Sequence, residues 1–230
     1  PSSLTILASG YAAAFDRFRS SGDVAMIAPR MLGPEVRRCF EEGTGFITAI
    51  GVAADVSGCA LERTLGIARA LGGLCEGAIE MTPHQEAVLD LAVEQVLSPA
   101  LAYINQSFVG IMLENEIPLE AILTELFLSG EVERTYGRLR TEGFVRQMEH
   151  HSPTSQYGQL SRRGSYDHLD VAAKMREMTA VIADGRFADE WDGERDLGYP
   201  ALKRLKEEFC GSAISELEDE LRRRLGPARS

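Results

Sequence analysis

The chain has 230 residues, 44% of them hydrophobic and 26% charged, the profile of a folded protein of one large or two small domains. This composition excludes disorder, collagen and a disulfide scaffold, and no run approaches the roughly 18 apolar residues of a membrane span. With 24 basic against 35 acidic residues the net charge is −11, which repels phosphate backbones and anionic membrane surfaces. Neither nucleic acid nor a membrane is an expected partner. The first seven residues lack the basic start of a secretory signal, and a cytoplasmic setting is the default. The four cysteines, Cys39, Cys59, Cys75 and Cys210, form no CxxC pair and read as ordinary buried thiols.

Up to residue 82 the pattern alternates short apolar runs with amphipathic stretches, as in α/β units. Residues 4–7, 24–28 and 46–52 read as buried strands. Residues 12–19, 34–42 and 60–71 read as helices. No GxGxxG fingerprint follows a first strand, and three strands make a sheet expected to continue elsewhere. The first residue is Pro rather than Met, in keeping with a processed or truncated start. From residue 83 onward strand signals vanish, and helices are expected at 84–97, 100–114, 119–128, 131–147, 169–184, 188–192 and 200–225. Residues 151–165 read as a Ser/Arg/Gly/Tyr-rich loop of the length that often carries function.

Acid is concentrated in residues 83–150, which hold eleven acidic and four basic side chains. Glu86, Asp90 and Glu94 recur every four residues and stack on one helix face, where like charges repel. A cation should therefore sit against them. It is either an arginine from elsewhere, or a hard metal ion such as Mg²⁺ taking carboxylate oxygens one turn apart. Glu125 has Ala121, Ile122, Leu128 and Ser129 as same-face neighbours, so it points with the apolar side of its helix. A buried carboxylate needs a metal, an arginine or a proton. Glu131 reads equally as a helix-start acid favoured by the dipole. His84, His150, His151 and His168 have no motif companions and read as surface or capping residues. No Ser-His-Asp, Cys-His or GxSxG constellation occurs.

The order of motifs is more specific than any of them alone. The run DVAMIAPRMLGPEVRRCFEEGTGFITAIGVAADVSGCALE from Asp23, then GGLCEGAIEMTPHQEAVLDLAVEQ, SPTSQYG and ADGRFADEW, resembles ketol-acid reductoisomerase along nearly the whole chain. The resemblance implies an α+β architecture. Residues 1–82 would be the C-terminal part of a Rossmann-like NAD(P)-binding domain, and 83–230 an all-helical, knotted metal, substrate and dimerisation domain. It implies two Mg²⁺ ions, NADPH or NADH, and a small 2-hydroxy-2-keto acid such as acetolactate, which undergoes alkyl migration and then reduction. It also implies a homodimer whose active site is shared across the interface.

Residue by residue, the resemblance places metal ligands at Asp90 and Glu94, a partner-chain ligand at Glu125 and substrate hydrogen bonding at Ser152. Catalytic roles fall on Arg30, Glu125 and Ser152, and cofactor contact on Ser9 and Arg30. The chain departs from the family at three places. Ala8-Ser9-Gly10-Tyr11 stands for AHGF, Arg30 for the lysine after Ala-Pro, and Ser129 for the fourth metal carboxylate, which Glu131 is near enough to replace if its helix shifts. About a hundred residues expected before this segment, including the phosphate loop, are not in the sequence. The alternatives are a Mg²⁺-dependent isomerase or lyase without hydride transfer, and a helical dimer without catalysis.

Overall fold

The structure is a computed structural model that describes residues 3–210, 215, 218–220 and 222–223. It is α+β: four strands in one mixed sheet, followed by helices. Strands β1 (Leu4–Leu7), β2 (Asp23–Pro29), β3 (Thr48–Ala54) and β4 (Ala78–Glu80) lie in the spatial order 1-2-3-4. The β1–β2 and β3–β4 pairs are parallel and β2–β3 is antiparallel, with Met26 opposite Gly51 and Ile27 opposite Ile50. Three strands fall where the apolar runs place them. The fourth was not expected, because three exposed residues, Ala78, Ile79 and Glu80, are too few to show a strand pattern.

β2 reads as an unbroken apolar run because both of its faces are covered, which removes the alternation of a half-exposed strand. Met26 and Ala28 pack with Ala49 and Met81 on one face, and Ile27 with Ile50, Ala68, Ile6 and Leu74 on the other. Ala68 comes from helix α3 (Ala60–Ala70), while α2 (Gly33–Glu42) ends on Gly43 in the left-handed conformation that caps a helix. Helix α1 is only Tyr11–Ala14, far shorter than the 12–19 expectation. The chain leaves it through Asp16 at φ 59°, a conformation no right-handed helix continues. Gly51 is obligatory for close approach: a Cβ there would lie 2.1 Å from the Met81 carbonyl oxygen.

Helix α4 (Pro83–Ala92) runs through a π-helical turn (Val93–Leu97) into α5 (Ser98–Glu114), giving a continuous helix Pro83–Glu114. An 18-residue window of this helix has mean hydropathy 1.4 and is only 11% buried, so by length and composition it could cross a membrane. This corrects the expectation that no run is long enough. α6 (Leu119–Leu123) enters a second π turn (Thr124–Leu128). α7 (Glu131–Glu142) stops at Gly143, φ 86°, before a 3₁₀ turn (Arg146–His150), so the single helix expected over 131–147 is two elements.

The expected loop at 151–165 is mostly helix α8 (Pro153–Arg162). The hydroxyl of Ser152 accepts from the Ser155 amide, and Pro153 occupies the first turn, where its missing N–H costs nothing. Helices α9 (Val171–Ala183), α10 (Arg186–Asp196) and α11 (Pro200–Cys210) follow, and most of the expected helix beyond residue 210 lies outside the described residues. Two compact units result: residues 1–98 with 175–192, and residues 99–174 with 193–230. Cys59 and Cys75 are exposed and Cys39 half-buried, so the buried-thiol reading is corrected for these three, and the side chain of Cys210 lies outside the described residues.

Candidate metal and substrate site

The acidic stripe is set by how α4 begins. The Thr82 hydroxyl accepts from the Gln85 amide at 3.1 Å, and the Gln85 side chain accepts from the Thr82 amide at 2.9 Å, a reciprocal cap that fixes the first turn. Glu86 follows on the buried side of that turn, at 1% exposure. One of its oxygens accepts from the Gly10 amide at 2.6 Å, and the other from Nη1 of Arg30 at 2.9 Å. The second guanidinium nitrogen of Arg30 donates to Asp90 Oδ1 at 2.6 Å. A single cation therefore bridges two carboxylates one turn apart. Arg30 is placed by the end of β2, where its amide donates to the Ile47 carbonyl.

The stripe thus has its cation, and within the chain that cation is an arginine. The pairing takes up Glu86 and one oxygen of Asp90. Asp90 remains substantially exposed, and Glu94, one turn further and inside the first π turn, is exposed and makes no ion pair among the described residues. Glu125 corrects the sequence expectation: it is exposed, and the buried residues beside it are Ile122 and Leu123. Of its expected same-face neighbours Ile122 is buried, whereas Ala121 and Leu128, the latter at 47%, are open: the helix passes into a π turn at Thr124, which breaks the regular spacing that sets a common face. Glu94 and Glu125 each sit in a π turn, an element enriched at functional sites.

Ser9 follows β1, half-buried, and Ser152 is exposed as the cap of α8. Glu131 opens α7, where its amide has no helical acceptor and donates instead to the Ser129 hydroxyl at 3.2 Å. Among the described residues no group of three or more His, Cys, Asp or Glu side chains is gathered on this one chain to hold a metal ion. Asp90 and Glu94 are two exposed carboxylates on successive turns, a donor set that suits Mg²⁺, which keeps several waters and takes one or two carboxylates from a protein.

His84 behaves as a capping residue, its Nε2 3.0 Å from the Ala183 carbonyl oxygen. His150 and His151 do not stay at the surface as lone residues. They line a groove of about 320 Å³ with Ser129, Glu131, Arg134, Thr135, Arg138 and Gln147. The signal in the sequence was the pair Arg134 and Arg138, four apart on one helix face. In the sheet unit, Asp23 is fully buried and accepts from the Ser57 hydroxyl at 2.6 Å, the Val56 and Ser57 amides and Arg63. The Ser57 hydroxyl above all, with the two amides and Arg63, holds its carboxyl below the usual range against the opposing effect of burial.

Residues 2–77 match the model of the acetohydroxy acid isomeroreductase NADPH-binding domain, and residues 84–226 that of the ketol-acid reductoisomerase C-terminal domain. The chain is 37% identical over 218 residues to the putative ketol-acid reductoisomerase 3 of Saccharolobus solfataricus, covering 93% of this chain and 65% of that protein. It is 32% identical over 209 residues to the ketol-acid reductoisomerase (NADP(+)) of Methanocaldococcus jannaschii, covering 89% and 62%. The chain thus spans under two thirds of the length of these curated relatives. A solved structure of an NADH-preferring ketol-acid reductoisomerase from an uncultured archean superposes with TM-score 0.85 at 27% identity, over 97% of this chain and 68% of that one. With both domain models matched in order and the fold shared, the chain belongs to the ketol-acid reductoisomerase family.

Proposed function

We propose that the protein acts as a ketol-acid reductoisomerase, a Mg²⁺-dependent enzyme that shifts an alkyl group within a 2-hydroxy-2-keto acid such as acetolactate and reduces the product with NAD(P)H. The observation that carries this is the pair Asp90 and Glu94, carboxylates on successive turns with Asp90 Oδ2 and all of Glu94 free of ion pairs among the described residues. Two divalent cations, when bound, supply Lewis-acid polarisation of the substrate's oxygens. Asp90 and Glu94 would hold them, with Glu125 of a second copy completing the set and Glu131 in reserve. Arg30 keeps the buried Glu86 neutralised, so that only the two outer carboxylates answer to a cation. Ser152 offers a hydroxyl to the substrate, and Ser9 and Arg30 face the nicotinamide. The names of the relatives support reduction by a nicotinamide, NADPH or NADH.

Calorimetric titration of Mg²⁺ into the wild type and Asp90→Asn tests the reading. The variant should lose at least about tenfold in affinity, since a hard cation takes charged oxygen ligands. Equal affinity in both proteins refutes it. The bond between Arg30 and Asp90 favours a second reading, in which the stripe is a structural ion cluster and the protein is a helical dimer without catalysis. Absence of any Mg²⁺ binding by the wild type selects that one.

A homodimer belongs to the proposal. Tyr103, Ile104, Phe108 and Ile111 on α5 are all exposed, an apolar face of the kind that marks an interaction surface. A second copy covering it makes the exposed window of Pro83–Glu114 an interface. Ile104→Glu with Phe108→Glu should then give monomers by light scattering, whereas co-flotation of the wild type with lipid vesicles supports a membrane instead.

A further inference from the structure

The two carboxylates bridged by Arg30 differ in how firmly they hold it. Glu86, 1% exposed, takes Nη1 at 2.9 Å, and its other oxygen is fixed by the Gly10 amide at 2.6 Å. Only a glycine allows that approach: a Cβ on Gly10 would lie 2.0 Å from the Pro83 carbonyl oxygen and 2.9 Å from Glu86 Oε2. Asp90 takes Nη2 at 2.6 Å, but its side chain is 41% exposed. Breaking a buried pair leaves an uncompensated charge out of water, whereas a water-exposed pair contributes little. The guanidinium is therefore anchored at Glu86 and releasable at Asp90. Gly10, Arg30, Glu86, Asp90 and Glu94 all belong to one compact unit, residues 1–98 with 175–192.

The stripe is thus graded along its helix. Glu86 is closed by Arg30, Asp90 is half-engaged by the same cation, and Glu94 in the π turn is exposed without an ion pair among the described residues. A guanidinium keeps its charge at every pH a protein meets, so its hold on Asp90 never titrates away. A divalent cation arriving at Asp90 and Glu94 meets a positive charge already bonded to Asp90 Oδ1, and two cations drawing on one carboxylate repel each other.

We propose that Arg30 is a resident competitor for the divalent cation. In the metal-free protein its Nη2 occupies Asp90. When Mg²⁺ binds, that hydrogen bond breaks while Nη1 stays on Glu86, so metal binding exchanges one counter-ion of Asp90 for another. The proposal rests on the reading above that Asp90 and Glu94 hold Mg²⁺, and it adds the residue that sets how tightly they do so. It also gives Arg30 a task when metal is scarce, which is to keep a bare Asp90 from facing Glu86 one turn away.

The test is calorimetric titration of Mg²⁺, at constant ionic strength, into wild type, Arg30→Gln, Arg30→Lys and Asp90→Asn. Arg30→Gln should bind Mg²⁺ at least about tenfold more tightly than wild type. Arg30→Lys should gain at least about threefold, because an ammonium keeps the charge beside Glu86 without the fork that reaches Asp90. At saturating Mg²⁺ the deficit in thermal midpoint of Arg30→Gln relative to wild type should shrink by roughly 3–6 °C, the equivalent of a tenfold difference in affinity for a chain of this size. Should Arg30→Gln fail to fold, Arg30→Lys carries the test: tighter binding supports the proposal and equal binding overturns it. Affinity raised in Arg30→Gln but unchanged in Arg30→Lys overturns it as well, since the metal then responds to net charge and not to the bond. Equal or weaker binding by Arg30→Gln also overturns it, the weaker case making Arg30 a brace that holds Asp90 for the metal. These results leave the metal reading standing as long as Asp90→Asn loses affinity, whereas unchanged affinity in Asp90→Asn defeats that reading and the proposal with it.

Discussion

Replacing Arg30 by Gln isolates the cost of the buried carboxylate beneath it. Glu86 is 1% exposed, and the substitution removes the one positive charge within bonding distance of it among the described residues. Breaking a buried pair from one side costs about 3–5 kcal/mol. The lower end applies, because Glu86 keeps the Gly10 amide at 2.6 Å and Arg30 is itself a quarter exposed, so water reaches part of the site. At about 2–4 °C per kcal/mol for a chain of this size, 3 kcal/mol lowers the thermal midpoint by roughly 6–12 °C. Scanning calorimetry reads this directly. Adding Glu86→Gln should recover part of the loss, since the amide still accepts from Gly10 and leaves no buried charge, and the double variant should be more stable than Arg30→Gln alone. Arg30→Lys should fall between, because an ammonium lacks the fork that spans both carboxylates. A midpoint shift below about 2 °C in Arg30→Gln, or a double variant at the sum of the two single losses, refutes the bridging role.

Other outcomes follow from the same geometry. Gly51→Ala should destabilise the sheet unit by about 1–3 kcal/mol in urea unfolding, because the new Cβ would meet backbone, the Met81 carbonyl oxygen at 2.1 Å. Thr48→Val should be neutral or stabilising by up to about 1 kcal/mol, since the Thr48 hydroxyl is fully buried without a hydrogen-bond partner among the described residues. A loss of more than 1 kcal/mol there would show that the hydroxyl is bonded. For Asp23 the folded pKa is lowered, so its stabilisation is fully present above the unfolded carboxylate value, near pH 4, and disappears as pH falls through the lowered folded value. The stability difference between wild type and Asp23→Asn should therefore be constant from pH 7 to about pH 5 and shrink below pH 4. A difference independent of pH down to pH 2 contradicts this.

Much of the scaffold was legible because burial writes itself into composition. β2 showed as an apolar run since both faces are covered, and the helix from Pro83 showed through its spacing, although as two helices, 84–97 and 100–114, where the structure has one continuous helix with a π turn. β4 could not be read, being three exposed residues held only by pairing with β3. α8 was hidden under Ser, Pro and Gly, although Ser152 followed by Pro153 is itself a helix-start signal. The stripe demanded a cation and the sequence left its identity open. Arg30 lies 56 positions before Glu86, a proximity that only the sheet creates. Glu125 departs from its expected inward position because same-face spacing presumes a regular α-helix, and the π turn Thr124–Leu128 breaks it, leaving Ile122 buried but Leu128 and Glu125 open.

A π turn is an α-helix that has absorbed one surplus residue within a single widened turn. Each residue of a regular α-helix advances the azimuth by about 100°. One extra residue ahead of Ser98 would swing everything from Ser98 to Glu114 by about that angle, had Val93–Leu97 not taken it up. Deleting one residue there would therefore close the widened turn around Glu94 and leave the facing of Ile104 and Phe108 nearly as it is. The chain can vary the setting of one carboxylate without turning the apolar side of the helix that follows.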